Sequence, residues 1–370
     1  MRDFIYSVYA LFFNLYVCLF KLKKGRVALV SMHNENFRDA LGSVYEELKK
    51  RGNTDFVFIS RQDLEIKVKN IFRVISFFVF KSYKLATAEY VYLNDNFLPM
   101  SKLNIKKETT VVQLWHAEGV FKKFGFAIPQ EEKVRQREMK ANEKIDFVVC
   151  SSKAVVPYYA EAFGVDEGRV LPLGSPRADY FFKEGKKEEA RERLEDKYPF
   201  LKRKRVVLYA PTFRDTKEEN EEILKRLSPE RLYGFLGDDY ALLVKLHPQI
   251  HTDIKDDEFF TDVTGYDDVR ELILACDVLV TDYSSICMDF SLLSKKTVFF
   301  AYDLEKYTAE RDFYFDYASY IPGKVVRTTK EIAEEIKAPF DEERNEKFKS
   351  FNFDFLDGES ARRVVDRVER

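Results

Sequence analysis

The amino-acid sequence predicts an α/β protein made of two doubly wound domains, each with a parallel sheet between layers of helices. Short runs rich in β-branched residues alternate with longer segments of helical periodicity, which is typical of parallel sheets. A charge-dense stretch at 183–205 interrupts this alternation, and the pattern resumes after it. Polar residues follow several predicted strands directly, where parallel sheets bind their ligands. We predict a first domain at 25–185 and a second at 186–370.

The composition fits two domains and argues against several classes of site. With 370 residues, the chain is long enough for two separate cores. Its 61 Lys and Arg residues nearly balance 63 Asp and Glu residues, so no overall positive field favours nucleic acid as a partner. The four cysteines lack metal-binding spacing and three lie in apolar runs, which indicates buried free thiols rather than disulfides or a zinc site.

The most apolar segment, at 4–20, is followed by four basic residues. A secretory signal has the opposite order, with charge first and a small-residue cleavage site afterwards. Seventeen residues is also at the short limit for crossing a bilayer. We therefore predict a membrane-associating helix within 1–24, lying in the cytoplasmic leaflet with its basic end among anionic headgroups. A core helix of the first domain is the alternative.

The first domain is predicted to alternate strands and helices. Strands are expected at 27–31, 55–60, 90–95, 110–116 and 147–152, and helices at 37–50, 71–86 and 154–163. The helix at 71–86 combines Phe residues with Lys and Arg, so it is a second candidate for membrane contact, with a buried helix as the alternative.

The second domain is predicted to begin with a helix at 188–198. Strands are expected at 206–211, 240–246, 278–281 and 298–300. After the third of these strands, Ser284 and Ser285 stand where a helix would start. A polar turn between a strand and a helix offers backbone N–H groups to an anion such as phosphate. The two hydroxyls can cap the helix or bind the anion, and the sequence leaves both interpretations open.

Candidate site residues follow the predicted strands in both domains. They are His116 in the first domain and Thr212, Arg214, Lys245, His247, Asp282, Ser284 and Ser285 in the second. Since ligands of parallel sheets bind at the carboxyl ends of the strands, these residues are expected to line a cleft between the domains. The two histidines, Arg214, Lys245 and the two serines make the floor of this cleft rich in cations and donors. Such a set suits a diphosphate. No carboxylate cluster indicates a chelated metal, and His33 and His251 lack comparable surroundings in the sequence.

Six segments resemble a known family in their order and spacing. They are QLWHAEGVFKKFG (113–125), SSKAVVPYYAEAFGV (151–165), VLPLGSPRADYFF (170–182), VLYAPTFRD (207–215), LLVKLHP (242–248) and DVLVTDYSSICMDFSLLSKKTVFFAYDLEKY (277–307). Together they resemble the CDP-glycerol glycerophosphotransferase family of wall teichoic acid synthesis in Gram-positive bacteria. The resemblance covers nearly the whole chain from Val27 on. It implies a GT-B-like fold and transfer of glycerol phosphate from CDP-glycerol with release of CMP, without a metal or cofactor.

The resemblance also implies roles for individual residues. His116 resembles the family's essential histidine of the Trp-His motif, the proposed general base that takes the proton of the acceptor hydroxyl. His247 resembles the second essential histidine, which contacts the phosphates and is a candidate to protonate the departing CMP. Contacts to the donor are expected from Thr212, Arg214, Lys245, Asp282, Ser284, Ser285 and Arg311. Asp289 is expected at the ribose or glycerol hydroxyls, with a capping or solvent-facing role as the alternative.

Departures from the family pattern bear on the substrate. Ala117 follows the Trp-His motif where the long polymerases have Gly, and no large extension precedes the catalytic segments. Asp312 also replaces the Gly that often follows the arginine at 311. The first two features favour a primase that adds one or a few glycerol phosphates.

The expected acceptor is an undecaprenyl-diphosphate-linked ManNAc-GlcNAc disaccharide, which implies a peripheral protein on the cytoplasmic side of the cell membrane. Four alternatives remain open at this stage. They are chain elongation, ribitol phosphate transfer from CDP-ribitol, a sugar-nucleotide GT-B glycosyltransferase and a non-catalytic lipid-binding scaffold. Homo-oligomerisation is likewise left open.

Overall fold

The computed structural model describes residues 2–32, 37–53, 55–65, 70–246 and 257–369 and divides the chain into two compact units. The first unit comprises Met1–Asp179 and Asn352–Arg370, and the second comprises Tyr180–Phe351. Each unit contains one six-stranded parallel sheet with helices connecting its strands. The predicted α/β class with two doubly wound domains is therefore confirmed.

The first sheet has the strand order β2-β1-β3-β4-β5-β6, and all its described pairs are parallel. Its strands are β1 (Lys23–Ser31), β2 (Asp55–Ser60), β3 (Ala88–Leu93), β4 (Thr110–Gln113), β5 (Phe147–Cys150) and β6 (Val170–Pro172). The helices along this part of the chain are α1 (Arg2–Leu19), α2 (Ala40–Lys50), α3 (Ile71–Ile75), α4 (Ser82–Ala86), α5 (Glu132–Asn142) and α6 (Val156–Phe163). The direction in which successive strands are added reverses between β1 and β3, which is where doubly wound sheets bind their ligands.

The second sheet has the order β12-β11-β10-β7-β8-β9. Its strands are β7 (Arg205–Tyr209), β8 (Tyr240–Val244), β9 (Phe260–Asp262), β10 (Val278–Thr281), β11 (Lys296–Phe300) and β12 (Lys324–Val326). The helices of this part are α7 (Lys186–Lys197), α8 (Lys217–Leu227), α9 (Pro229–Leu236), α10 (Val269–Ala275), α11 (Ile286–Leu292), α12 (Leu304–Glu310), α13 (Tyr317–Tyr320), α14 (Thr329–Lys337) and α15 (Glu342–Asn352). Here the reversal lies between β7 and β10, as in the classic Rossmann order.

The end of the chain returns to the first unit, which corrects the prediction of a continuous second domain at 186–370. The last helix, α16 (Ser360–Val368), buries Val364, Val365 and other apolar side chains in the cluster that contains Val27 of β1. Both carboxylate oxygens of Asp179 accept backbone N–H groups at the start of α16, at 2.9 and 2.7 Å. The apolar periodicity of α16 shows that it packs on a core, but periodicity carries no information about which core that is.

The two segments predicted to contact a membrane pack against each other. Tyr9 and Phe13 of α1 are buried, and the Tyr9 ring stacks on Phe77 with a centroid distance of 4.4 Å. Phe77 lies in a π-helical turn, Ser76–Lys81, which joins α3 to α4. One side of each segment is therefore part of the core, as the alternative interpretation expected.

The other side of this helix pair is exposed and apolar. The exposed residues, which we call the apolar face, are Phe4, Leu11, Leu15, Leu19, Phe20, Ile71, Phe72, Ile75 and Phe80. Within the described ranges, no helix has the length and apolar character required to cross a membrane. The predicted segments are thus amphipathic helices with a packed side and an exposed side.

Candidate active site

His116 lies at the carboxyl edge of the first sheet, three residues beyond β4. Its side chain is 33% exposed, and its Nδ1 lies 2.8 Å from Oδ1 of Asp95, whose side chain is 5% exposed. Asp95 follows β3, the neighbour of β4 in the sheet. Because Nδ1 faces this carboxylate, Nε2, on the opposite side of the ring, is directed away from it.

Asp95 is fixed where the strand order reverses. Its Oδ2 accepts the backbone N–H of Met32, the residue after β1, at 2.9 Å. The buried side chain of Gln113 donates to the carbonyl of Asp95 at 3.3 Å and accepts the backbone N–H of Trp115 at 3.0 Å. These bonds connect the ends of β1, β3 and β4. The sequence analysis missed Asp95 and Gln113 as site residues, although Asp95 stands at the end of a predicted strand.

Trp115 places His116 by means of an unusual backbone conformation. Its φ is +62°, in the left-handed region that residues other than glycine rarely adopt. The indole stacks on Phe124 at 5.2 Å, meets Phe163 edge-on at 5.1 Å and lies 4.1 Å from the His116 ring. Such a conformation costs about 1–3 kcal/mol and persists only where packing enforces it. The aromatic contacts provide that packing next to His116.

The loop after His116 is held by polar side chains of the same unit. The contacts are Gly119 N to Ser151 Oγ at 3.0 Å, Val120 N to Asn352 Oδ1 at 3.0 Å and Ser175 Oγ to Glu118 Oε1 at 2.5 Å. Gly119 has a φ of +56°, and a Cβ at this position would come within 2.2 Å of Asn352 Oδ1. A glycine is therefore required here for both conformation and space.

The second unit also gathers candidate residues at its strand-order reversal. Thr212 follows β7, and Asp282 follows the neighbouring β10. Oδ1 of Asp282 accepts the backbone N–H groups of Thr212 at 2.7 Å and Tyr283 at 2.6 Å. Asp282 is buried, so its carboxylate connects the two strand ends inside the unit.

Arg214 lies buried between two carboxylates, with only 6% of its side chain exposed. Its Nη2 is 2.8 Å from Asp282 Oδ2, and its Nε is 3.0 Å from Asp303 Oδ2. The guanidinium also lies over the rings of Tyr283 and Tyr307, at 5.2 and 5.3 Å from their centroids. Burial alone would lower the pKa of Arg214, but the attraction of Asp282 and Asp303 outweighs it and raises that pKa. The sequence analysis did not identify Asp303.

Lys245 and Arg311 have different surroundings from each other. The Nζ of Lys245 donates to the carbonyls of Thr264 at 2.6 Å and Tyr266 at 2.9 Å. Burial lowers the pKa of Lys245, against the opposing attraction of nearby carboxylates. Arg311 is exposed, and its Nη2 lies 2.6 Å from Asp215 Oδ2, a hydrogen-bonded pair that raises the pKa of Arg311.

The remaining donor-site candidates lie at the start of α11. Ser284 Oγ accepts the backbone N–H of Ile286 at 3.4 Å, which is a long capping contact. Ser285 is exposed and makes no capping bond through its side chain. Asp289 is in the first turn of this helix and is only 1% exposed, so the solvent-facing alternative for it was wrong.

His247, the second predicted catalytic histidine, lies outside the described residues, as do His33 and His251. Among the described ranges, no group of three or more His, Cys, Asp or Glu side chains is arranged to hold a metal ion. The structure thus brings His116 together with Asp95 in the first unit, and Thr212 and Arg214 together with Asp282 in the second.

Comparison with known proteins identifies relatives along nearly the whole chain. A model of the CDP-glycerol:poly(glycerophosphate) glycerophosphotransferase family matches residues 11–370. The teichoic acid poly(ribitol-phosphate) polymerase of Bacillus spizizenii is 36% identical over 357 residues, covering 95% of this chain and 57% of the polymerase. The teichoic acid ribitol-phosphate primase of the same organism is 31% identical over 373 residues, covering 98% of this chain and 95% of the primase. The chain therefore spans little more than half of the polymerase and nearly all of the primase.

A solved structure of the wall teichoic acid polymerase TagF has a similar fold. It aligns with a TM-score of 0.80 and 24% sequence identity, covering 100% of this chain and 95% of that chain. At this level of identity the likeness concerns the fold alone, and it agrees with two α/β units built on parallel sheets.

Proposed function

This chain belongs to the CDP-glycerol:poly(glycerophosphate) glycerophosphotransferase family, and we propose that it transfers a polyol phosphate from a CDP ester to a lipid-linked acceptor, releasing CMP. It is therefore a phosphotransferase of teichoic acid synthesis. The proposed acceptor is a hydroxyl of a polyprenyl-diphosphate-linked disaccharide. The proposed donor is CDP-glycerol, as the sequence motifs indicate. CDP-ribitol is the second candidate, since one relative that this chain spans almost completely is named a ribitol-phosphate primase.

The observation that carries the proposal is the position of His116. A partly exposed imidazole at the carboxyl edge of a parallel sheet, with Nδ1 against a buried carboxylate, suits a general base. In the proposed step Nε2 accepts the proton of the acceptor hydroxyl while that oxygen attacks the phosphorus attached to the polyol. The bond from this phosphorus to the CMP oxygen breaks, and CMP leaves. The proposed role of His247, contact with the phosphates, rests on the resemblance of its motif.

We propose that the donor diphosphate binds beside Ser284 and Ser285, in the turn between β10 and α11. Exposed Ser285 offers a hydroxyl at this helix start. Arg214 has Asp282 and Asp303 as ion-pair partners, so we assign it the role of holding this edge together. Lys245, Thr212, Asp289 and Arg311 remain proposed donor contacts. The reaction as proposed needs no metal or cofactor, so EDTA is expected to leave the rate unchanged.

We further propose that the apolar face attaches the first unit to the cytoplasmic side of the cell membrane. The face combines exposed Phe and Leu side chains with neighbouring basic residues such as Lys21 and Lys24. Burying one large apolar side chain contributes about 1.5–3 kcal/mol, and each basic residue near an anionic surface about 1 kcal/mol. These amounts favour attachment in the plane of the interface.

Flotation with vesicles containing anionic lipid tests this attachment. Leu11→Glu and Phe72→Glu are expected to lower vesicle binding at least tenfold, because each places a charge in the apolar face. Phe235→Glu, at an exposed apolar position of α9 in the second unit, is the matched control and should bind as the wild type does. Equal binding by all variants would contradict the assignment of this surface.

The transfer itself is tested by measuring CMP release with CDP-glycerol and CDP-ribitol, separately, in the presence of a short-chain analogue of the lipid-linked disaccharide. Mass spectrometry of the product then gives the group transferred and the number of units. One added unit supports a primase, and a ladder of products supports a polymerase. Turnover with a UDP-sugar alone, measured separately as UDP release, would contradict the proposed function in favour of a glycosyltransferase.

His116→Ala is the decisive variant in this assay. Loss of a general base typically lowers the rate by about 10²–10⁴-fold. His33→Ala, at a histidine that the sequence analysis leaves outside the site, is the control and should retain activity. Circular dichroism of both variants establishes that they are folded. Full activity of His116→Ala would contradict the proposed mechanism, because another group would then have to act as the base.

A further inference from the structure

We propose that Asp95 is the positioning residue of this active site: it keeps the proton of neutral His116 on Nδ1, so that Nε2 carries the lone pair that receives the acceptor's proton. The inference rests on the proposed function, because it assigns Asp95 a part in the same proton transfer. It concerns a residue that none of the sequence motifs singled out.

The distance between the two side chains carries the argument. Asp95 Oδ1 lies 2.8 Å from His116 Nδ1, a close contact between a carboxylate oxygen and a ring nitrogen. A carboxylate only accepts hydrogen bonds, and neutral imidazole has one N–H and one acceptor nitrogen. The favourable arrangement therefore has the hydrogen on Nδ1, which leaves Nε2 as the acceptor. The opposite tautomer would set the Nδ1 lone pair against a carboxylate oxygen.

The second carboxylate oxygen fixes the orientation of Asp95. Oδ2 accepts the N–H of Met32 at 2.9 Å, which fixes how the carboxylate is turned toward His116. Gln113 holds the backbone of Asp95 and of Trp115 at the same time. Both partners of the Asp95–His116 pair are thus positioned by the ends of adjacent strands rather than by a long mobile side chain.

During transfer, Asp95 would stabilise charge without moving a proton. The acceptor O–H bond breaks, the Nε2–H bond forms and His116 becomes an imidazolium with a proton on each nitrogen. The negative carboxylate next to Nδ1–H favours that cation, as in other carboxylate–histidine pairs. The acceptor oxygen bonds to phosphorus as the bond to the CMP oxygen breaks. The proton leaves Nε2 after CMP has departed.

Asp95→Asn tests this role with little change in shape. The Asn carbonyl can still accept the N–H of Met32, which turns its NH₂ group toward His116. That group donates, so Nδ1 becomes the acceptor and the hydrogen moves to Nε2. The variant therefore holds the imidazole in place but in the wrong tautomer. Asp95→Glu, which keeps the carboxylate, is the conservative variant and should recover the wild-type tautomer at least in part.

The first measurement is the tautomer of His116 in the full chain, labelled with ¹⁵N-histidine. The chain has only four histidines, and the signals that disappear in His116→Gln identify this one. We expect Nδ1–H in the wild type and Nε2–H in Asp95→Asn at a pH where the ring is neutral. Asp63→Asn is the matched control. Asp63 is buried in the same unit but pairs with Lys81 at 2.7 Å, so its variant should leave the His116 signals unchanged.

The second measurement is steady-state kinetics with the CDP donor that the wild type uses. We expect Asp95→Asn to lower kcat by about 10²-fold while the KM for the donor changes less than about threefold, because donor binding does not involve this pair. A merely structural role would lower thermal stability in Asp63→Asn and Asp95→Asn alike and would leave the tautomer unchanged.

Two results would overturn the inference. One is an Nε2–H tautomer in the wild type, and the other is an unchanged tautomer and kcat in Asp95→Asn. If the wild type turns over neither CDP-glycerol nor CDP-ribitol, the proposed function fails, whereas the tautomer measurement still decides whether Asp95 sets the state of His116. The two failures are thus distinguishable.

Discussion

The carboxyl edges of the two sheets use charged residues in opposite ways. At the first edge, the buried Asp95 contacts His116, and the side chain of His116 remains partly exposed. At the second edge, Arg214 is enclosed by Asp282 and Asp303 and covered by aromatic rings. Both edges lie where the strand order reverses, and both contain carboxylates bonded to the backbone of a neighbouring strand end.

This difference divides the candidate site residues into two kinds, according to whether their side chains are exposed at the sheet edge or buried in it. Some, such as His116, have side chains that remain partly exposed. Others, such as Arg214 and Asp282, are buried and hold the strand ends together. Loss of the first kind should affect turnover and leave stability nearly unchanged, whereas loss of the second should reduce stability. Substitutions that separate turnover from stability therefore test the comparison.

The largest effect on stability is expected from Arg214→Met. The change leaves Asp282 and Asp303 buried without their cation, and breaking a buried pair in this way costs about 3–5 kcal/mol. Urea unfolding followed by circular dichroism measures the loss. Arg226→Met, which removes an exposed ion pair with Glu222, is the control and should cost at most about 1 kcal/mol. Equal midpoints for the two variants would show that Arg214 does not hold the second edge together.

Gly119→Ala should have the next largest effect, about 1–3 kcal/mol, because it adds a Cβ at positive φ against Asn352. Trp115 is the only tryptophan in the sequence, so the fluorescence of the unfolding transition reports on this part of the first unit. Gly234→Ala is the matched control, since it lies in α9 with nothing within 4 Å of the added atom. That control should be neutral or slightly stabilising. A wild-type transition for Gly119→Ala would mean that the loop after His116 tolerates other conformations.

Lys245→Met should cost about 1–2 kcal/mol, because two backbone carbonyls lose their donor. It should also change the pH dependence. Burial lowers the pKa of Lys245 below the ordinary 10.5, so between its folded pKa and 10.5 the unfolded chain binds more protons. The free energy of unfolding therefore gains a contribution that rises with pH across this window. Unfolding measured at several alkaline pH values should show a shallower rise in Lys245→Met than in the exposed control Lys217→Met.

Arg311→Met should have the smallest effect on stability, at most about 1 kcal/mol, because its pair with Asp215 is exposed. Its effect on the KM for the CDP donor decides whether Arg311 contributes to turnover, as proposed for His116, or only to structure, as proposed for Arg214. A raised KM with unchanged stability would support the predicted anion contact. An unchanged KM would remove Arg311 from the donor site.

Much of the fold could be predicted because buried strands have a clear composition. The predicted strands at 55–60 and 278–281 have the bounds that the structure shows. By contrast, β6, β9 and β12 are three residues long, too short to produce a periodic pattern, and none of them was predicted. The partner of α16 was missed for a different reason, because apolar periodicity gives the buried side of a helix and not the core it joins.

The candidate site was predictable only in part. The position of His116 at a strand end could be predicted, because strand ends are local features. Asp95 and Asp303 were missed because their importance depends on which strands are neighbours in the sheet, and strand order does not follow from local pattern. Arg214 was predicted as a ligand contact, since a sequence shows a positive charge but does not show that two carboxylates already surround it.

The return of α16 to the first unit has a consequence for synthesis on the ribosome. The apolar surface of β1 and α2 that α16 covers is translated early, whereas α16 follows the whole of 180–351. Part of the core of the first unit therefore stays uncovered during translation, until the second unit has emerged and α16 follows it. Emergence of α16, rather than emergence of the first six strands, is the point at which the core of that unit can be completed.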